Sequence, residues 1–339
     1  MNTTKELIKP TSRLASVDML RGVASLSVCL FHFASGNTLW LTDDFWIKRV
    51  FNYGHLGVEM FFIISGFVIP YSLFKSGYAY QDGGKFLLKR LIRIDPPYIA
   101  AIILIVCLSY ISTLSPYYKG TGYQIDFGNL ALHLGYINSF VNQPWLNPVF
   151  WTLALEFQFY IIMAILFPLM VYKQKFVNYL VVFLFLISHF IITNPSFIFF
   201  SSPFFVLGML IFYLKNKQHN TSLILFFIVA TLLLIYQQNS IASTFASIFT
   251  FVVIAYLKNW SNKWLLFIGT ISYSLYLIHV PFGGRLINFF LNFVEGNYLR
   301  TVALFLILLV TIYASYIFYK FIELRAIMFS RKVFQNKPK

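Results

Sequence analysis

Charge is scarce in this sequence. Asp, Glu, Lys and Arg make up 11% of the 339 residues, against about 25% in an average soluble domain. That excludes an ordinary water-soluble globule. Cysteine is scarcer still. Cys29 and Cys107 both fall inside apolar runs, so neither a disulfide framework nor a zinc-type ligand spacing is available. Histidine and acid residues nowhere cluster at the short spacings that metal sites need, and no metal is expected. No repeat of fixed period and no low-complexity tract is present. What fills the chain is apolar: 59% of residues are hydrophobic, with 40 Phe and 22 Tyr.

These residues come in runs near span length, separated by short polar or basic stretches. In a bilayer only helices and closed barrels satisfy their own backbone, and runs of this length read as helices. The sequence therefore predicts an all-α, polytopic membrane bundle of about ten transmembrane helices. The expected spans are 14–35, 57–74, 97–115, 149–171, 177–193, 197–214, 221–237, 241–257, 265–283 and 300–320. A cytoplasmic lead (1–13) precedes a single membrane domain (14–323), and a basic cytoplasmic tail (324–339) follows.

The formal net charge of +15 raises the question of nucleic acid, but the basic residues follow the rule by which membranes orient chains. With both termini cytoplasmic, only Lys48, Arg49, Lys119, Arg285 and Arg300 fall on the outer side. The asymmetry predicts an N-in, C-in topology and leaves no soluble basic face for nucleic acid. Arg21 interrupts the first apolar run and further spans follow, which argues against a cleaved signal peptide.

Ionisable side chains at membrane depth are costly and mark function by default. Arg21 and His32 lie eleven positions apart on the first span, hence on one face and about 16 Å apart along the axis. Their alignment suggests a reaction path from the membrane surface inward, with His32 as a general base. For Arg21 the simpler alternative is a pair with Asp18. Glu59 and Glu156 are the acids well inside spans; Glu156 is a candidate to orient His32 or to neutralise Arg21. His279 is a further candidate and His189 a weaker one. Cys29 lacks any feature that would depress its pKa and reads as core. Ser65-Gly66 provides small residues for close helix approach.

Residues 85–98 read as a basic amphipathic helix stopped by Pro96-Pro97, with Arg90 and Arg93 pointing the same way. Lipid headgroups are one possible partner for these arginines. The stretch Leu130 to Phe140, containing His133, is too short to span. The stretch Phe204 to Gly208 reads as a break in its helix.

Five motifs then occur in order. They are Arg21-Gly22 with His32; Gly57-Val-Glu-Met-Phe-Phe-Ile-Ile-Ser-Gly-Phe67; Arg90-Leu-Ile-Arg93 with Pro96 and Tyr98; Trp151-Thr-Leu-Ala-Leu-Glu156; and Ile271-Ser-Tyr-Ser-Leu-Tyr-Leu-Ile-His279-Val-Pro281. Together they resemble the integral-membrane acyltransferase-3 family, whose members O-acylate cell-surface glycans. The resemblance implies an acyl-CoA donor, most often acetyl-CoA, entering from the cytoplasm, and a glycan hydroxyl as acceptor. It implies that Arg90 and Arg93 hold the phosphates of CoA, that Arg21 guides the mouth of a channel, and that His32 meets the thioester. The Arg21–His32 separation is comparable with the length of a pantetheine arm.

One departure is visible: the family's closing Glu-x-Pro reads Glu323-Leu-Arg325, which puts any role of that terminus in doubt. The appended extracellular domain of some relatives is not expected either, so the membrane part would accept the final substrate itself or work with a partner. The expected protein is an O-acetyltransferase of the bacterial inner (cytoplasmic) membrane, its partners being acyl-CoA, a glycan and the lipid bilayer. The rival reading from another class is a proton-coupled glycan or solute transporter, in which His and Glu form a relay. A non-catalytic partner in a polysaccharide-synthesis complex is a second.

Overall fold

The computed structural model describes residues 14–118, 122–216, 220–257 and 262–335, and every regular element among them is helical. The N-terminal lead, Lys119 and the last four residues of the tail lie outside the described residues. In chain order the helices are α1 (Ala15–Ser35), α2 (Trp46–Asn52), α3 (Gly57–Lys75), α4 (Gly83–Thr113), α5 (Phe127–Leu134) and α6 (Phe150–Met170). There follow α7 (Lys175–Ile191), α8 (Ser202–Lys215), α9 (Thr221–Gln238), α10 (Ile241–Tyr256) and α11 (Lys263–Thr270). The chain closes with α12 (Ser272–Ile278), α13 (Arg285–Phe290), α14 (Asn297–Phe318) and α15 (Leu324–Gln335).

Among the described residues, seven helical stretches are long and apolar enough to cross a membrane: α1, Trp46–Lys75, Tyr80–Thr113, α6, Ile198–Lys215, α9 and Asn297–Val333. The pair Lys263–Thr270 and Ser272–Phe290 passes the same test only jointly and is bent by 59°. Helices α7 and α10 are apolar but shorter. Each of the ten apolar segments expected from the sequence falls on one of these stretches.

Three local expectations are corrected. First, Pro96 and Pro97 do not stop a helix. α4 runs through both, so the basic stretch and the third span form one helix of 31 residues. A proline removes an amide donor and crowds the carbonyl four residues before it, which is tolerated where neighbours re-satisfy the backbone. The helix is also tied to α12 just ahead of the prolines, where the Tyr273 hydroxyl donates to the Ile94 carbonyl at 2.9 Å. Arg90 and Arg93 are thereby fixed to a rigid transmembrane element.

Second, the expected span 265–283 is broken at Ile271, whose φ of −95° and ψ of 6° leave the helical region. The two sides of the break are held by different neighbours. A Cβ added to Gly269 would lie 1.8 Å from the Asp18 carbonyl oxygen, and one on Gly22 2.4 Å from that of Leu265, so α11 packs backbone to backbone on α1. On the other side, the buried Glu323 carboxylate accepts from the Ser274 amide at 3.1 Å and from its hydroxyl, which ties α12 to α14. The residue whose role the sequence left in doubt thus fixes the direction of the helix that carries His279.

Third, Gly208 marks no break. α8 continues through it, and the glycine instead admits α3: a Cβ there would stand 2.2 Å from the Ile63 oxygen. Small residues permit such contacts where helices pack without a hydrophobic driving force.

Between α4 and α6, the stretch around His133 folds as the short α5 and does not span. His133 is fully buried. Its Nε2 accepts from the Leu146 amide at 3.0 Å, so its Nδ1 carries the proton and donates to the Asn129 carbonyl at 2.8 Å. Burial holds this imidazole below its ordinary value of 6.5. Unfolded, the group takes a proton near 6.5; folded, it resists. The stability it contributes is present above that value and is lost as the pH falls below it. Wild-type protein in detergent is expected to melt at a lower temperature at about pH 5.5 than at about pH 7.5. His133→Gln, which cannot titrate, is expected to lose less over the same interval. A wild-type melting temperature that did not fall would contradict this.

Candidate active site

A cavity of about 300 Å³ lies between α1, α3, α4, α6, α12 and the junction of α14 with α15. It follows α3 from Val58 to Tyr71, about 20 Å of helix. Toward one end it is lined by Arg21 of α1 and by Arg90 and Arg93 of α4; toward the other by Phe61, Phe62, Thr152 and Tyr276.

The arginine end is built from like charges. The Arg90 guanidinium lies over the rings of Phe86 and Tyr160, 5.4 and 5.2 Å from their centroids, a cation–π arrangement. Arg93 interacts electrostatically with Arg90, Arg21 and Glu323. Among the described residues none of the three arginines makes a hydrogen bond or an ion pair within 4 Å, and Asp18 does not pair with Arg21. Guanidinia brought together repel one another, and an anion relieves that repulsion. Their planar donor forks match phosphate oxygens two at a time.

Beyond the opposite end stand two imidazoles. The His32 and His279 rings are 5.2 Å apart at 51°, and neither lines the cavity. His279 is fully buried and opens a π-helical turn, His279–Gly284, a local widening common at functional sites. Its Nδ1 donates to the Leu275 and Tyr276 carbonyls at 3.0 and 2.9 Å, which fixes the tautomer. Its Nε2 is then an acceptor, buried and without a hydrogen-bond partner among the described residues. Tyr276 stands between the two regions: it lines the cavity, and its ring centroid is 5.9 Å from that of His279.

The residues singled out from sequence divide accordingly. Arg21, Ser65, Arg90, Arg93 and Glu156 line the cavity. His32 and His279 form the pair beyond it. Glu156 does not meet His32: its carboxylate accepts from the Tyr160 hydroxyl one turn on, because the two share a face of α6. Glu59 lies in the first turn of α3, where it accepts from Ser243 of α10 at 2.8 Å, outside the cavity. His189 is held by the Phe200 carbonyl and Gln238. Cys29 is core.

Sequence reasoning gave no role to Tyr160 or Tyr276 and left that of Glu323 in doubt. Tyr276 had a detectable signal, since it lies one helical turn before His279. Tyr160 had another, four residues after Glu156. Glu323 had its place in the closing Glu-x-Pro position, although nothing there pointed to Ser274. Among the described residues no three His, Cys, Asp or Glu side chains converge as metal ligands do.

These features define a multi-pass membrane protein with an arginine-lined cavity that stops one aromatic ring short of a pair of histidines, one partly and one fully buried. The chain belongs to the acyltransferase-3 family: the family's acyltransferase domain matches residues 14–320, as the five motifs led one to expect. It is similar to the O-acetyltransferase OatA of Staphylococcus aureus, in the strains COL and NCTC 8325 alike, with 28% identity over 365 residues, 91% of this chain and 56% of the relative. The chain therefore spans about half the length of the relatives it matches. No solved structure matches it.

Proposed function

We propose that this chain is a membrane O-acetyltransferase that moves an acetyl group from cytoplasmic acetyl-CoA to a hydroxyl of a cell-surface or lipid-linked glycan. One observation carries the reading: a single cavity has three guanidinia at one end and stops one aromatic ring short of a histidine pair at the other, and Arg21 and His32 lie about a pantetheine length apart along α1. The family and the names of the S. aureus relatives support acyl transfer to oxygen. The excess of Lys and Arg near the Arg90 end supports a cytoplasmic placement of that end, N-in and C-in, in a bacterial inner membrane.

In this mechanism Arg90 and Arg93 hold the phosphates of CoA and Arg21 flanks the descending arm. A His32 N–H donates to the free Nε2 of His279, which leaves a lone pair on the other His32 nitrogen; hydrogen bonds of this kind often tighten only when substrate binds. His32 takes the proton of the acceptor hydroxyl as its oxygen attacks the thioester carbonyl carbon. The C–S bond then breaks, the acetyl group stays on oxygen, and the imidazolium returns its proton to the leaving thiolate. The variant in which His32 itself carries the acyl group gives the same products. His279 is a positioning residue in either form, and Glu156 supports the cavity wall through Tyr160.

The test is thioester turnover by the purified full chain in lipid nanodiscs supplied with a glycan extract from its host envelope. Release of free CoA from acetyl-CoA, with acetyl recovered on glycan, is expected. Proton-coupled solute uptake in liposomes without any thioester turnover would instead establish the transporter reading.

A further inference from the structure

The cavity ends before the histidines, and what closes it is specific. The Tyr276 and Thr152 hydroxyls share a hydrogen bond at 2.6 Å, and both reach the Val149 carbonyl, Thr152 at 2.9 Å and Tyr276 at 3.4 Å. That chain of bonds anchors the Tyr276 ring to the first turn of α6. Phe61 of α3 meets the ring edge to face, 5.7 Å between centroids. Two aromatic rings from different helices thus cross the path from the arginines to His32 and His279. Past them Cys29, Phe33 and His279 are fully buried, and His32 is partly buried. Tyr276 is buried as well, on a helix of seven residues held between the break at Ile271 and the π-helical turn.

We propose that Tyr276 and Phe61 form a constriction that sets the size of the acyl group delivered to His32, admitting acetyl and rejecting longer chains. This rests on the O-acyltransferase reading above. The acyl group is the leading end of the donor, so it alone has to pass the two rings and occupy the packed space beyond, while the pantetheine arm stays in the cavity. Each methylene beyond acetyl needs room there, and a methylene misfit in an apolar pocket changes discrimination by about 10- to 200-fold. The Thr152 bond keeps the Tyr276 ring from swinging aside. Tyr276 and Phe61 are specificity-determining residues on this account and touch no proton in transit.

The experiment uses membrane vesicles from cells expressing the full chain, with their own envelope glycans as acceptors. Acetyl-, propionyl- and butyryl-CoA are supplied in turn, and free CoA and acylated glycan are measured. Wild type is expected to prefer acetyl over butyryl by at least about 10-fold. Tyr276→Ala is expected to lower that preference by about 10-fold or more. If Tyr276→Ala does not accumulate, Phe61→Leu opens the same gap, and Thr152→Val frees the ring without shortening it; both should shift the preference in the same direction. An unchanged acetyl-to-butyryl ratio in the variants that accumulate and still turn over acetyl-CoA would overturn the constriction and leave the proposed function standing. So would complete loss of turnover in accumulated Thr152→Val and Phe61→Leu, since rings that only limit size are not needed for the chemistry. Absence of CoA release from all three donors by wild type would remove the function and the constriction together.

Discussion

His32→Ala is expected to lower acyl transfer by about 10²- to 10⁴-fold, the range over which a positioned general base contributes. The donor KM is expected to stay within about threefold, because the donor is held through its phosphates by Arg90 and Arg93 of α4, at the end of the cavity away from His32. The separation of kcat from KM is the informative part. A variant that merely disturbed the packing of α1 would move both, since Arg21 sits on the same helix and lines the donor cavity. His279→Gln is expected to fall between wild type and His32→Ala, for it changes the acceptor that positions His32 and leaves the base itself in place. Steady-state kinetics with acetyl-CoA checks both. Loss confined to KM in His32→Ala would return the residue to a structural role.

The second large effect is expected at the other end of the cavity. A hydrogen bond to a charged group is worth about 1.5–3 kcal/mol, so Arg90→Ala and Arg93→Ala should each raise the acetyl-CoA KM by about 10- to 100-fold. Lysine is expected to recover only part of this, having one compact ammonium where a planar fork is needed. Arg90 carries an added burden: its guanidinium covers the rings of Phe86 and Tyr160, so removing it also uncovers aromatic surface. Arg93→Ala is therefore the cleaner measurement. Unchanged donor kinetics in both variants would point to lipid headgroups as the partner of this basic stretch.

Much of this was legible before any coordinates. Runs of about 20 apolar residues dictate helices because a bilayer offers the backbone no other partner, and all ten predicted segments coincide with helices. The shared face of Arg21 and His32 follows from helical periodicity, and the five ordered motifs identified the family. What stayed hidden depends on tertiary contacts. Pro96-Pro97 reads locally as a stop, yet α4 runs through both and is tied at Ile94 to Tyr273 of a distant helix. The break at Ile271 needs the contact of Gly269 with Asp18 and the reach of Glu323 to Ser274, none of which has a signature at short range.

The partner of His32 shows the same limit. Depth in the membrane favoured Glu156, and depth alone does not tell which way a side chain turns. On α6 the nearest donor to Glu156 is Tyr160, four residues along the same face. The ring beside His32 is that of His279, brought there by the short α12 after the break at Ile271, a tertiary placement that leaves little trace in a pattern of apolar residues.

The central claim is that a donor held by the arginines at one face of the membrane is consumed at His32. The most direct measurement places acetyl-labelled CoA on one side or the other of sealed, oriented membrane vesicles, for wild type and for His32→Ala. The account predicts label transfer to glycan, with release of free CoA, only when the donor is at the cytoplasmic face, and none above background in His32→Ala. Equal turnover by the two proteins, or transfer of label from the opposite face alone, would contradict it.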